Sequence, residues 1–248
     1  MSKPLVSVIT TVYNCEEFIE ESLESIFSQT FKDFEFIVFN DASTDNTWEI
    51  IERCFRNYDG DYVIIDSDKD TNLGCPRGRQ VAMSRAKGKY YAIHDGDDNS
   101  YSNRLEREVE FLEDNPEIFC VGSWADSING DGSHREVMNF PPDNHNSFID
   151  SLFQGNNTFL DPTAMMRADI FHKLGGYDNK WNLIPDMHLW TKAVFEHCYI
   201  TSLQESLVAH RKHSGSVMMS SLREVIMQHR FMHKLLLEGV KKEGFYRY

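Results

Sequence analysis

Within its first hundred residues the chain alternates short β-rich runs with amphipathic helical patterns, which restricts it to a parallel sheet with crossover helices. Residues 5–12 read as a first strand. Asn14, with Glu17 three residues on, is expected to cap a helix in which Ile19, Leu23, Ile26 and Phe27 form one apolar stripe. Glu16, Glu20 and Glu24 then face water as a solvated surface. Residues 34–39 predict a second strand, and residues 44–58 a second helix with Trp48, Ile51 and Phe55 on one face. Residues 62–65 predict a short third strand. A further helix runs through residues 80–83, and residues 89–93 make a fourth strand.

In such a sheet ligands bind at the carboxyl ends of the strands, near the point where strand order reverses. Three polar motifs fall there: Thr11-Val12-Tyr13-Asn14, then Asn40-Asp41-Ala42-Ser43-Thr44-Asp45, then Asp95-Gly96-Asp97-Asp98. Three carboxylates in four residues repel one another, and a hard divalent cation such as Mg²⁺ or Mn²⁺ relieves that repulsion while keeping positions for phosphate oxygens. An acidic surface turn is the alternative, since Asp and Gly also favour turns. The Tyr13 ring is suited to stacking on a nucleobase, and Asp41 to accepting a base or ribose hydrogen bond. Packing for Tyr13, and helix capping for Ser43, Thr44 and Asp45, are the competing roles.

A chain of 248 residues, 41% hydrophobic and 12% aromatic, suits one large domain or a domain with a small appendage. No apolar run approaches the roughly 20 residues that cross a bilayer, and the first four residues lead directly into a strand, so a cytoplasmic protein is expected. Cys15, Cys54, Cys75, Cys120 and Cys198 are odd in number and scattered, unlike a disulfide framework or a zinc site. A net charge of -14 argues against nucleic-acid binding, which needs Lys and Arg facing phosphates.

The order Val-Ser-Val-Ile-Thr-Thr-Val-Tyr-Asn, Asn-Asp-Ala-Ser-Thr-Asp, Asp-Gly-Asp-Asp resembles that of the family 2 nucleotide-sugar glycosyltransferases, which have the GT-A fold. Residues 25–31 and 77–82 match further family segments, and the resemblance covers about the first 215 residues. It implies an α/β fold with a Rossmann-like, mostly parallel central sheet flanked by helices, a smaller acceptor-side β element and a C-terminal helix. Residues 1–218 are expected to form the glycosyltransferase domain, with a nucleotide-binding half (1–100) and an acceptor half (101–218), followed by a tail at 219–248. Carried over position by position, the resemblance implies that Thr11, Tyr13 and Asp41 contact the uracil and ribose of a UDP-sugar and that Arg79 approaches the nucleotide. Asp95 and Asp97 match the Asp-x-Asp motif that holds ribose and a Mn²⁺ or Mg²⁺ ion, with Asp98 a further ligand candidate. Thr11 stands where the family usually has Pro, Asn40 replaces an acidic residue, Ala42 replaces Gly and His210 replaces Tyr.

In the second half, residues 156–163, 165–167 and 174–178 resemble the segment lining the sugar and acceptor pocket. Pro185-Asp186-Met187-His188-Leu189-Trp190 resembles the Glu-Asp-x-x-Leu-Trp motif, which implies Asp186 as the base of an inverting transfer. A helix N-cap is the plainer role for Asp186, and Asp161 and Asp178 are weaker competitors. His210-Arg211-Lys212-His213 resembles the element closing over the donor, implying that Arg211 meets the pyrophosphate and His213 completes the metal shell. His94 has no trusted ligand spacing, and residues 127–146 carry no readable code.

From Ser221 onward, Leu222, Val225, Ile226, His229, Met232, His233, Leu236 and Val240 recur at helical spacing, and this tail carries +3 on a body of -17. It is expected to pack on its own domain or on a homodimer partner, with peripheral contact to an anionic membrane as the lesser alternative. The expected reaction moves a sugar from a nucleoside-diphosphate sugar to a hydroxyl of a glycan or lipid-linked acceptor. A sugar-phosphate nucleotidyltransferase would need a Gly-rich phosphate loop after the first strand, and residues 10–15 contain no Gly. A catalytically silent nucleotide-sugar-binding relative is the remaining alternative.

Overall fold

A computed structural model describes residues 3–68, 71–139, 144–154, 159–216 and 222–243. Strands β1 (Val6–Val12), β2 (Phe34–Asn40), β3 (Asp61–Asp66) and β4 (Tyr90–Ile93) alternate with helices α1 (Ile19–Phe27), α2 (Thr47–Phe55) and α3 (Cys75–Met83). These four strands run parallel in the order β3-β2-β1-β4. The order reverses beside β1, because the chain first builds outward through β2 and β3 and then returns to place β4 on the other edge of β1. The carboxyl ends of β1, β2 and β4 therefore open on one side.

Beyond β4 the sheet becomes mixed. Strands β5 (Asn99–Ser100), β6 (Ile118–Asn129), β7 (His134–Met138), β8 (Met165–Arg167) and β9 (Tyr199–Lys212) extend it in the order β4-β8-β6-β9-β5, with β7 paired to β6. The smaller β element expected after β4 is thus continuous with the main sheet. β8 is antiparallel to both β4 and β6, whereas β9 runs parallel to β6. The long β9 carries residues 210–212 back to the end of β4. Helices α4 (Arg104–Asp114), α5 (His145–Phe153), α6 (Ala168–Lys173), α7 (Pro185–Phe195) and α8 (Leu222–Glu243), with short 3-10 turns at Asp161–Thr163 and Asn179–Trp181, complete the described elements.

Period-2 alternation divides the core between the two faces of the sheet. Val6, Val8 and Val12 of β1 join Phe36 and Val38 of β2 against Ile19, Leu23 and Ile26 of α1 and Ile51 and Phe55 of α2. Ile9, Ile37 and Phe39 point to the other face, in a core with Ala82, Phe159, Phe171, Met187, Leu189 and Trp190. Val225 and Met232 of α8 also join that second core.

Two sequence expectations need correction. Asn14 does not cap α1, which begins at Ile19 after a turn in which Phe18 and Ile19 donate to the Cys15 carbonyl. Asn14 instead takes a left-handed φ of 50° and accepts from the Thr44 N–H at 2.8 Å, stitching the β1 loop to the β2 loop. The second helix is shorter than residues 44–58 and starts at Thr47, whose N–H donates to the Asp45 carboxylate. Residues 44–46 are drawn out of the helix by these side-chain bonds, as Ser, Thr, Asn and Asp favour caps and turns over helix interiors.

Candidate active site

The β1 and β2 loops form one wall of the crevice. Thr11 is half-buried and the Tyr13 ring is 50% exposed. Asp41 is buried, and its carboxylate accepts from the N–H groups of Leu73 at 2.7 Å and Gly74 at 2.8 Å. It therefore fixes the approach to α3, where Gly74 takes a φ of 79° and Pro76 lies in the first turn. A nucleotide hydroxyl would have to share Asp41 with these two donors.

One turn into α3, Arg79 is only 4% exposed. It donates from Nη1 to Asp161 and from Nη2 to Asp95 at 2.7 Å, with its guanidinium 5.4 Å from the centre of the Tyr177 ring. The Tyr177 hydroxyl donates to Asp161 at 3.0 Å. Gly175 and Gly176, both at positive φ, end α6 and turn Tyr177 inward, and the Gly176 N–H donates back to the Phe171 carbonyl. Burial pushes the Asp161 carboxyl up to about 7 against the opposing pull of Arg79, and the charge of Asp186 adds to the rise. Asp186 lies half-buried in the first turn of α7, two residues past the N-cap position at Ile184. A carboxylate there is favoured by the helix dipole.

The acidic turn after β4 supplies the opposite wall. Asp95, Asp97 and Asp98 each offer an oxygen within 4.8 Å of the others. Asp95 is paired with Arg79, and Asp97 accepts from His213 Nε2 at 2.9 Å. Asp98 is fully buried, accepting from His210 Nδ1 at 3.0 Å and from the Arg211 N–H at 2.8 Å. Burial pushes Asp98 up to about 6 although His210 opposes the rise. The Asp98 charge in turn holds His210 up at about 9, which keeps the imidazole protonated. Burial disfavours the charge on Asp97, but His213 holds its carboxyl below the ordinary value. His213 itself is raised by the hydrogen bond to Asp97. An all-oxygen donor set with Asp95 and Asp97 partly open to solvent fits a hard divalent cation.

Arg211 is turned inward. It is 2% exposed, and its Nε, Nη1 and Nη2 donate to the carbonyls of Asp97 and Gly130 and to the carboxylate of Glu21. It braces the acidic turn against α1 and the β6–β7 hairpin, and contact with a pyrophosphate would require these bonds to be exchanged. Beneath the turn, His94 is buried between the hydroxyls of Ser22 at 2.8 Å and Ser100 at 3.2 Å. Burial lowers it to about 3, so it is a neutral spacer. Arg104, equally buried, donates to the Ile93 carbonyl, Ser100 and Glu108.

The structure thus links Arg79, Asp95, Asp97, Asp98, His213 and Asp161 through ion pairs, hydrogen bonds and the carboxylate cluster, with Asp186 near enough for its charge to act on Asp161. Sequence reasoning missed Asp161 as the partner of Arg79 and His210 as the counter-ion of Asp98, because each pair spans more than 80 residues. Of the pocket-lining segment expected at residues 156–163, residues 156–158 lie outside the described residues. Asp178 bonds the Lys180 N–H at 2.9 Å as a local cap.

Residues 7–175 match the family model "Glycosyl transferase family 2". An uncharacterized glycosyltransferase of Methanocaldococcus jannaschii is 32% identical over 213 residues, spanning 85% of this chain and 72% of that protein. WfaP of Escherichia coli, a UDP-Glc:alpha-D-GlcNAc-diphosphoundecaprenol beta-1,3-glucosyltransferase, is 28% identical over 224 residues, spanning 90% of this chain and 84% of its own length. Among solved structures, Staphylococcus aureus TarS 1–349 in complex with UDP-GlcNAc superposes with a TM-score of 0.73 at 23% identity, over 92% of this chain and 65% of that one. The mannosyltransferase PcManGT of Pyrobaculum calidifontis, in complex with GDP-Man and Mn²⁺, superposes with a TM-score of 0.71 at 20% identity, over 92% and 64%. With its four-stranded parallel start, its strand-end carboxylates and this match over most of its length, the chain belongs to glycosyl transferase family 2 and is a glycosyltransferase with the GT-A fold.

Proposed function

We propose that the protein is a metal-dependent, inverting glycosyltransferase that moves a sugar from a nucleoside-diphosphate sugar, UDP-linked in the first instance, to a hydroxyl of a glycan or lipid-linked acceptor. The observation that carries this reading is the cluster of Asp95, Asp97 and Asp98 at the end of β4, where strand order reverses, opening on the crevice shared with Arg79 and Asp186. Asp95 and Asp97 would hold a Mn²⁺ or Mg²⁺ ion, with His213 and Asp98 completing or buttressing the shell. When bound, such an ion offsets the negative charge that grows on a nucleoside-diphosphate leaving group. Tyr13 offers a half-exposed ring for the base, and Thr11 and Asp41 offer polar groups for base and ribose. Arg79, held rigid by Asp161, presents a positive charge beside Asp95. Asp186 takes the proton of the acceptor hydroxyl as that oxygen attacks the anomeric carbon from the face opposite the leaving group. The UDP-containing name of WfaP and the UDP-GlcNAc complex of TarS support a uridine donor, and the GDP-Man complex of PcManGT makes guanosine donors the necessary comparison.

The test is UDP release across a panel of UDP-sugars with Mn²⁺, Mg²⁺ or EDTA, for wild type, Asp97→Ala and Asp186→Asn. Release from one donor that requires metal and falls by about a hundredfold or more in both variants is expected, the loss of a positioned base alone being worth that much. Metal-independent release, or silence across UDP-, GDP- and dTDP-sugars without calorimetric binding, overturns the reading.

A further inference from the structure

Helix α8 is apolar on two sides. Val225 and Met232 are buried in the core, and the His233 ring bonds the Phe153 carbonyl at 2.7 Å, so the inward face is occupied. Ile226, Met227, Phe231, Leu235 and Leu237 nevertheless stay 39–63% exposed, although one side of the Phe231 ring stacks on Trp181 at 5.8 Å between ring centres. These are five of the ten large apolar side chains exposed among the described residues, concentrated on one element. At about 100° per residue, Met227, Phe231 and Leu235 form one row, and Ile226 and Leu237 lie on the other side of the outward face. Between them run exposed Arg223, Arg230 and Lys234. Glu224 and Glu238 stand at the two ends of the Met227 row, and Glu238 lies 3.9 Å from Lys234. Phe231 and Leu235 also border a groove of about 430 Å³ against α7, whose wall includes Trp181, Phe195 and exposed Lys180.

Charge decides among the occupants of such a face. The tail is positive while the rest of the chain carries -17, so the basic line on α8 runs against the net charge of the body. A two-fold contact between copies would set each Arg–Lys line against its mate and disfavour the pairing. An anionic bilayer satisfies both parts at once, with apolar side chains entering the acyl boundary and Arg and Lys meeting headgroup phosphates. Among the described residues no helix is long and apolar enough to cross a membrane, so this contact is superficial. We propose that the outward face of α8 is a docking surface for an anionic lipid bilayer. The proposal stands apart from the transfer reaction, and vesicle binding and UDP release read the two separately.

The experiment is flotation of the full chain with vesicles of phosphatidylcholine alone, or of phosphatidylcholine and phosphatidylglycerol in equal parts, at low and high salt. Binding only to the anionic vesicles, weakened by salt, is expected. Arg230→Glu with Lys234→Glu should weaken it by more than about tenfold, since each basic residue near such a surface contributes measurably. Phe231→Ser with Leu235→Ser should weaken it comparably, while the exchange Arg230→Lys with Lys234→Arg retains it. UDP release in solution should be unchanged in all three, and circular dichroism melts unchanged in the two Arg230/Lys234 variants, whereas Phe231→Ser with Leu235→Ser also removes the stacking of Phe231 on Trp181 and should lower the melt. No binding to anionic vesicles, binding indifferent to charge reversal, or a dimer by light scattering that Phe231→Ser with Leu235→Ser dissolves would each overturn the proposal.

Discussion

At the residue scale, Ala42 is the point where the sequence is at odds with its own backbone. It holds a φ of +62° at the end of β2, fixed there by the Asn14, Ser43 and Thr44 bonds that join the two loops. A Cβ in this region crowds the following carbonyl at a cost of roughly 1–2 kcal/mol, partly offset by the lower unfolded-state entropy of Ala relative to Gly. Ala42→Gly should therefore stabilise the protein by about 0.5–1 kcal/mol in urea titration, and a loss of stability would show the left-handed turn to be wrong. Asp161 presents the opposite case, a residue whose removal strands a charge. Asp161→Ala leaves buried Arg79 with only the partly exposed Asp95 as partner and should cost about 3 kcal/mol or more in the same titration.

At the element scale, α4 is tied to the acidic turn through its first residues. Arg104 and Glu108, one turn apart and fully buried, form an ion pair at 3.0 Å, and Arg104 reaches on to Ile93 and Ser100 beneath the turn. The Glu108 Oε2 atom has no hydrogen-bond partner among the described residues, and burial pushes this carboxyl up to about 7 against the opposing charge of Arg104. A carboxyl whose folded value is raised contributes its stability fully below its unfolded value and loses it as pH rises through the folded one. The relevant window runs from the ordinary 4.5 to about 7. Glu108→Gln, which stays neutral throughout, should gain in stability relative to wild type between pH 5 and pH 8. Denaturant midpoints for the two proteins across that range check it, and parallel curves would mean that Glu108 is ionised in the fold at pH 5 as well.

At the scale of the whole molecule, the crevice joins segments from both halves of the chain, so an occupant should stabilise the entire fold. With UDP at about a hundred times its dissociation constant in the presence of Mn²⁺, the nucleotide alone is expected to add roughly 3 kcal/mol, visible as a raised Tm. Asp97→Ala should abolish the part that depends on Mn²⁺. Much of this architecture was legible in the sequence. The period-2 runs of β1, β2 and β4 and the stripes of α1 and α2 report which face each side chain presents, and burial on one face is a local property of a regular element. The strand-end motifs followed, because a parallel sheet sends all its carboxyl ends the same way. Tertiary structure alone decided the partners. It paired Arg79 with Asp161 and His210 with Asp98, turned Arg211 inward to brace Asp97, and drew residues 127–138 into a hairpin on the main sheet. The charge pairings and the turn of Arg211 depend on chain crossings of 80 residues or more and on which buried charge needs an opposite one, and no local spacing encodes either.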